Sequence, residues 1–253
     1  MRNIKLTIEY DGTRYAGWQV QNSHKSQVTG HNLKTIQHEI ETALYKMLHK
    51  KIYLHASGRT DAGVHARAQV ANFRTGSRLT PDKLRIGLNA LLPEDISVLE
   101  AEEAQEAFHS RFSAKSKVYR YTILNRSAKP AILRQAVYFY PYPLNLKLMR
   151  KEARVLLGRH DFKSFQAADK RKRGAVRRIK RVEVKRDKEF IHIDLEAEGF
   201  LYNMARNIAG TLVEIGRGRF PEGSMKTILL AKNRKFAGPT LPAKGLCLLK
   251  VMY

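Results

Sequence analysis

The sequence predicts an α+β protein, with a central mixed and mainly antiparallel sheet shared by two similar halves and helices packed on one side of it. Strand-like and helix-like segments follow one another in a mixed order, which does not suit a doubly wound parallel sheet. No Pro/Gly/Ser-rich linker interrupts the 253 residues, so one sheet running through both halves is the simpler arrangement. No short-period repeat is present, which argues against solenoids and propellers. The 43% apolar content is enough for a sizeable packed core. The boundary is expected near residue 110, giving an N-terminal half over 1–110 and a C-terminal half over 111–253.

The elements follow in order. Ile4, Leu6, Ile8 and Tyr10 alternate with polar residues as one face of a strand, and Asp11-Gly12-Thr13 turns the chain. A polar loop spans about 21–34. A helix starts at Thr35, a capping residue, with Ile36, Ile40, Leu44, Met47 and Leu48 as its apolar stripe. KIYLHASG (51–58) and the segment from Gln69 to Phe73 read as strands. Thr80-Pro81 places cap and first-turn proline in their favoured order for a second helix. Ile96–Leu99 closes the first half as a strand. In the second half Lys117–Leu124 is a strand and Leu146–Leu157 a helix. Val176, Ile179, Val182 and Val184 suggest a strand with 189–197 as its hairpin partner. A helix over 201–215 is expected to stop at Gly216 and Gly218. Another follows Pro221, and GLCLLKVMY is a final strand.

Charge is the first functional signal. Forty-seven Lys and Arg against 23 Asp and Glu give a net charge of +24. A field of that sign attracts polyanions, and nucleic acid is the natural one because each phosphate contact releases counterions. An anionic membrane surface fits less well, since no segment sets Lys and Arg opposite an apolar face. No run approaches the roughly 18 apolar residues of a membrane helix, and the alternating N-terminus lacks the features of a signal peptide. A cytoplasmic location is the expectation. The lone Cys247 can form no internal disulfide and anchors no cysteine-rich zinc site; its apolar surroundings read as buried strand.

The sharpest motif is Gly58-Arg59-Thr60-Asp61-Ala62-Gly63-Val64-His65-Ala66. Two glycines bracketing an aspartate permit a tight turn that lifts the carboxylate from the sheet. So placed, it can serve as nucleophile or base; the plain alternative is a turn aspartate bonded to its own backbone. His65 could pair with it, although a histidine at such a position more often packs. There is no GxxxxGK[ST], no GxGxxG after a strand, no HExxH and no Cys/His cluster, so nucleotide, dinucleotide and zinc sites lack their usual signals.

These residues resemble the tRNA pseudouridine synthase A family. GRTDAGVHA is similar to its catalytic motif, and Tyr10 to Gln19 (YDGTRYAGWQ) to its N-terminal one. FHSRF (108–112) with KVYRY (117–121), then His160-Asp161-Phe162, Ser164-Phe165, FLYNMARN (200–207) and Gly245-Leu246 resemble later segments in the right order along the chain. The resemblance implies the pseudouridine synthase fold, homodimers, and isomerisation of uridine at positions 38–40 of the tRNA anticodon arm, without metal, nucleotide or redox cofactor. It matches Asp61 to the catalytic aspartate, Tyr119 to the aromatic residue packed on the target base, Arg206 to an arginine paired with the aspartate, and Arg59 to one inserted into the RNA. Whether the carboxylate attacks the sugar, attacks the base or removes a sugar proton stays open.

Physical chemistry accords with these roles. A stacked uridine must leave the stack before its glycosidic bond is reachable, and an aromatic face restacks it for about 1–3 kcal/mol. Tyr119 also suits a strand core, between Val118 and Tyr121. At about 100° per residue, Arg206 lies roughly 150° from the centre of the stripe formed by Leu201, Met204, Ala205, Ile208, Leu212 and Ile215, so it points off the core. The dense basic run of 170–186 and the long 21–34 loop depart from the family pattern. The rival readings are a non-catalytic RNA-binding protein and a pseudouridine synthase with another RNA target.

Overall fold

The computed structural model describes residues 1–19, 34–168 and 174–253. The polar loop expected over 21–34 therefore lies outside the described residues except for Lys34, as does the start of the basic run. The chain divides into two compact units, Met1–Lys115 with Leu248–Tyr253, and Ser116–Cys247. The sequence assigned the terminal strand wholly to the second half; its last residues belong to the first unit.

In the first unit, β1 (Arg2–Tyr10) runs antiparallel to β3 (His65–Thr75) on one side and to β4 (Ile96–Ala104) on the other, and β2 (His55–Ala56) pairs with β3. Ile4, Leu6, Ile8 and Tyr10 are buried, as alternation requires. Helix α1 (Ile36–Leu48) begins where Thr35 Oγ1 accepts the His38 amide, and α2 (Pro81–Leu91) where Thr80 accepts that of Lys83. Both ends use a side-chain oxygen for an amide that the helix cannot satisfy. The strand expected over 51–58 shrinks to His55–Ala56. The Leu54 amide donates to Glu41 Oε1 at 2.9 Å and its carbonyl accepts from Gln37 Nε2, so side chains of α1 take the bonds a ladder would have made.

In the second unit, β5 (Ser116–Leu124), β9 (Phe190–Ala197), β8 (Val176–Asp187) and β7 (Gly158–Asp161) pair antiparallel in that order, while β6 (Tyr138–Phe139) runs parallel to β5 and makes the sheet mixed. The closing strand, β10 (Leu246–Met252), begins in this unit and ends in the first. Helix α3 (Leu146–Ala153) gives way to a 3-10 turn over Arg154–Leu156, and α5 (Ser224–Ala231) follows Pro221.

Helix α4 (Met204–Gly216) starts three residues later than the stripe suggested, because Asn203 holds a left-handed φ of 59°. It is also buried on every side rather than along one stripe, and Arg206 is its single residue that is not buried. Its polar members are satisfied inside: Asn207 Nδ2 donates to the Phe165 carbonyl, and Thr211 Oγ1 donates to the Asn207 carbonyl and accepts from the Gly238 amide. Gly216, expected to stop the helix, lies within it; a Cβ there would sit 2.6 Å from Met149 Sδ, so it is a packing glycine. The left-handed residue past the end is Gly218, with φ of 81°. Among the described residues no helix is long and apolar enough to cross a membrane.

Candidate active site

The Asp61 turn sits between β2 and β3 and is fastened from two directions. The Val64 amide closes it on the Asp61 carbonyl at 3.1 Å, and Gly63 carries a positive φ of 76°. The segment after β1 then packs over it. The Trp18 amide donates to the Thr60 carbonyl at 3.1 Å, and the Gly63 amide to the Tyr15 carbonyl at 3.3 Å. Thr60 Oγ1 and Tyr10 Oη share a buried hydrogen bond of 2.8 Å. Gly17 shows how close the approach is. A Cβ on it would stand 2.4 Å from the Thr60 carbonyl oxygen and 2.9 Å from the Asp61 carbonyl carbon, and its φ is +91°. Only glycine fits a backbone pressed so closely to the residue before the carboxylate.

The outer side of the turn is closed by His65. Its Nδ1 lies 3.1 Å from the Gly12 amide and 3.1 Å from Asp11 Oδ1. Asp11 Oδ1 also accepts from the Thr13 amide and hydroxyl. Burial acts to raise the Asp11 pKa, but the two Thr13 bonds and the His65 ring outweigh it, and the net shift is downward. Tyr15 is anchored beside this turn by donating to Asp95 Oδ1; burial, then that bond, push its phenol well above the ordinary range.

Thr60 is thus buried while Asp61 is half-buried and Arg59 exposed. The buried Thr60 anchors the turn directly before the half-buried Asp61 and fixes the backbone that carries the carboxylate. The sequence identified the motif but not its support. Tyr10, Gly17 and Trp18 do their work through tertiary contacts that local pattern does not reveal.

The second unit holds the other two predicted residues. Tyr119 is on β5 opposite Leu195 of β9. Its ring is 8% exposed and meets Phe200 edge-on at 4.9 Å between centroids. It is a packed ring, as the strand-core reading anticipated. Next to it, Arg120 grips Asp194 with two bonds of 2.7 Å. Arg206 leaves α4 with its Nε donating to the Leu241 carbonyl at 2.7 Å and its Nη1 to Asn203 Oδ1 at 3.1 Å. The guanidinium is therefore aimed by the first turn of its own helix and by the 237–242 segment. Thr240 and Arg234 tie that segment to Asn207 of the same helix.

A mixed-sheet α+β chain that props one aspartate on so heavily braced a turn is organised as an enzyme rather than a passive binding module. Known proteins agree. The family described as tRNA pseudouridine synthase matches residues 6–113 and 153–253, which include Arg59, Asp61 and Arg206 but not Tyr119. "tRNA pseudouridine synthase A" of Caldicellulosiruptor bescii is 45% identical over 253 residues, and that of Clostridium acetobutylicum 44%, each covering 100% of both chains. A Cbf5-Nop10-Gar1 crystal structure is 13% identical with a TM-score of 0.34, over 85% of this chain and 44% of that one, too loose a likeness to add to the assignment. The chain belongs to the tRNA pseudouridine synthase family, whose members are isomerases.

Proposed function

We propose that this protein isomerises uridine to pseudouridine at positions 38–40 of the tRNA anticodon stem-loop, as a cytoplasmic homodimer and without a cofactor, with Asp61 as the catalytic residue. The observation that carries the proposal is the braced turn: Gly17, Trp18 and Tyr15 bond to or press on the backbone of 60–63, and Tyr10 holds the Thr60 side chain, so that the backbone carrying Asp61 is fixed. Full-length relatives named tRNA pseudouridine synthase A support tRNA as the substrate. In this reading Arg59, exposed two residues before Asp61, enters the RNA and favours the flipped-out uridine. Tyr119 packs against the extruded base, and Arg206 pairs with the Asp61 carboxylate and keeps it ionised when RNA excludes water.

The chemistry releases the hydrogen on uracil C5, so tritium release from labelled tRNA reports it. Asp61→Asn keeps the shape and removes both nucleophilic and basic character. Release should fall to background while tRNA affinity changes little. Release at the wild-type rate would remove Asp61 from the mechanism. Mapping pseudouridine in tRNA from a deletion strain tests the target; loss confined to ribosomal RNA would replace tRNA as substrate.

A further inference from the structure

Phe112 is 78% exposed, more than any other aromatic side chain among the described residues. It does not stand alone. The His109 ring lies 4.4 Å from it between centroids, and the His55 ring of β2 lies 5.0 Å beyond His109. The Arg111 guanidinium caps the row, 5.8 Å from the centre of the Phe112 ring. Three rings and a cation thus form one strip on the first unit. Among the described residues no carboxylate lies within ion-pair distance of Arg111, His55 or His109.

The strip is held from beneath by buried polar groups. Ser110, between His109 and Arg111, is fully buried, and its amide and hydroxyl both donate to Asn72 Oδ1, at 2.9 and 2.8 Å. Asn72 Nδ2 donates to Asn3 Oδ1, and Asn3 Nδ2 donates to the carbonyls of Gln105 and Phe108, each at 2.9 Å. Tyr253 Oη donates to the Ser110 carbonyl at 2.8 Å, and Asn72 is the cross-strand partner of His55. Buried donors and acceptors are expensive to leave unmade, so this chain of amides fixes the backbone that displays the rings. A ring already fixed loses little freedom when something stacks on it.

The occupant follows from the chemistry. The surface offers π-faces and an unpaired guanidinium on a chain of net charge +24. A second copy would bring a like field, whereas an unpaired nucleotide brings a π-face and a phosphate together. Burial, then the neighbouring His55 and Arg111, lower the His109 pKa, and its Nδ1 accepts the Arg111 amide at 3.1 Å, which suits the neutral ring.

We propose that His55, His109 and Phe112, with Arg111, form a stacking platform for an unpaired nucleotide of the RNA substrate, Arg111 taking the adjoining phosphate. The platform rests on the RNA-modifying reading above and makes or breaks no bond itself. It serves to hold a loop nucleotide while the target uridine reacts.

The test titrates wild type, Phe112→Leu, Phe112→Trp and Arg111→Gln with a short unstructured oligoribonucleotide carrying 2-aminopurine, with a blunt RNA duplex, and with tRNA. Phe112→Leu should weaken binding of the unpaired probe about 5- to 150-fold, the range for one stacked base. Phe112→Trp should bind it at least as well as wild type, and duplex affinity should not move. Losing the ring should leave the salt slope unchanged, whereas Arg111→Gln should reduce it by about 0.7. Equal affinity of Phe112→Leu and wild type for the unpaired probe overturns the platform. So does a shift in self-association by sedimentation with RNA binding intact, which would assign the strip to contact between copies. Wild type that binds the probe but does not isomerise tRNA would refute the proposed function, and the oligoribonucleotide titration still decides the platform.

Discussion

At the scale of single residues, the Asp61 motif was legible because glycine spacing is a local signal. Its support was not, because Tyr10–Thr60 and Gly17–Thr60 are contacts between residues distant in sequence. Gly17→Ala makes that support measurable. It places a methyl group inside van der Waals distance of the 60–61 backbone at a positive φ. The left-handed strain and the overpacking together should cost about 2–4 kcal/mol of unfolding free energy by denaturant titration. Activity should drop further than stability alone explains, since the carboxylate shifts with its turn. A stable variant at full activity would mean that the approach of the two segments is slack.

Arg206 offers a second residue-scale prediction. The helical-wheel count set it off the core, and it is the one unburied member of α4. Its aim could not be read from the wheel, since it depends on the Leu241 carbonyl and Asn203. If it pairs with Asp61, a lysine keeps the charge and loses the planar fork, while alanine loses both. Single-turnover rates should fall in the order wild type, Arg206→Lys, Arg206→Ala, and tRNA affinity should fall much less, since 47 basic residues share the attraction. Arg206→Ala at the wild-type rate under saturating tRNA would leave Arg206 a structural residue that only braces the 237–242 segment.

At the scale of elements, alternation and capping were dependable where they agreed. β1, α1, α2, β5, the β8–β9 hairpin and β10 all appear where period and cap placed them. Short elements without a period of their own, β6 and β7, left no signal, and 51–58 lost its ladder to Gln37 and Glu41. The all-round burial of α4 was hidden because Asn207, Thr211 and Glu214 look like a polar face until their partners are known.

The β5–β9 pair also carries a pH signature. His192 of β9 faces Thr122 of β5 and stacks with Phe190 at 6.2 Å and 12°. Burial, then the Arg120 charge, hold its pKa below the ordinary imidazole value. A base with a depressed folded pKa resists protonation in the native state only. Its contribution is whole above about pH 6.5 and is lost as pH falls from there through the folded value. The thermal midpoint should therefore decline between about pH 7.5 and 5.5, a window in which carboxylates barely titrate. His192→Gln should flatten that decline without abolishing it, because His109 is shifted in the same direction. An identical slope in wild type and variant would show that His192 does not titrate differently on folding.

At the scale of the whole molecule, the +24 charge has to act through particular cations. Most of β8 is exposed along VRRIKRVEVKRD, with Ile179 and Val184 turned inward. Arg159, Arg177 and Arg178 line a cleft of about 710 Å³ in the second unit, with Glu198 the acidic residue among its lining residues. Phosphates neutralised by such groups release condensed counterions, and the release is what salt opposes. The slope of log K against log salt should be about −0.7 to −0.9 for each phosphate contacted. Several contacts then give a fall of orders of magnitude between low and physiological ionic strength. The cleft can be tested one charge at a time. Arg178→Gln should reduce the magnitude of the slope by about 0.7–0.9 if the guanidinium meets a phosphate. It should leave the single-turnover rate at saturating tRNA unchanged, since long-range attraction governs encounter and affinity rather than the chemical step. A slope unaltered by Arg178→Gln would move the RNA footprint off this cleft, and a flat titration for the wild-type protein would show that its charge does not serve RNA binding.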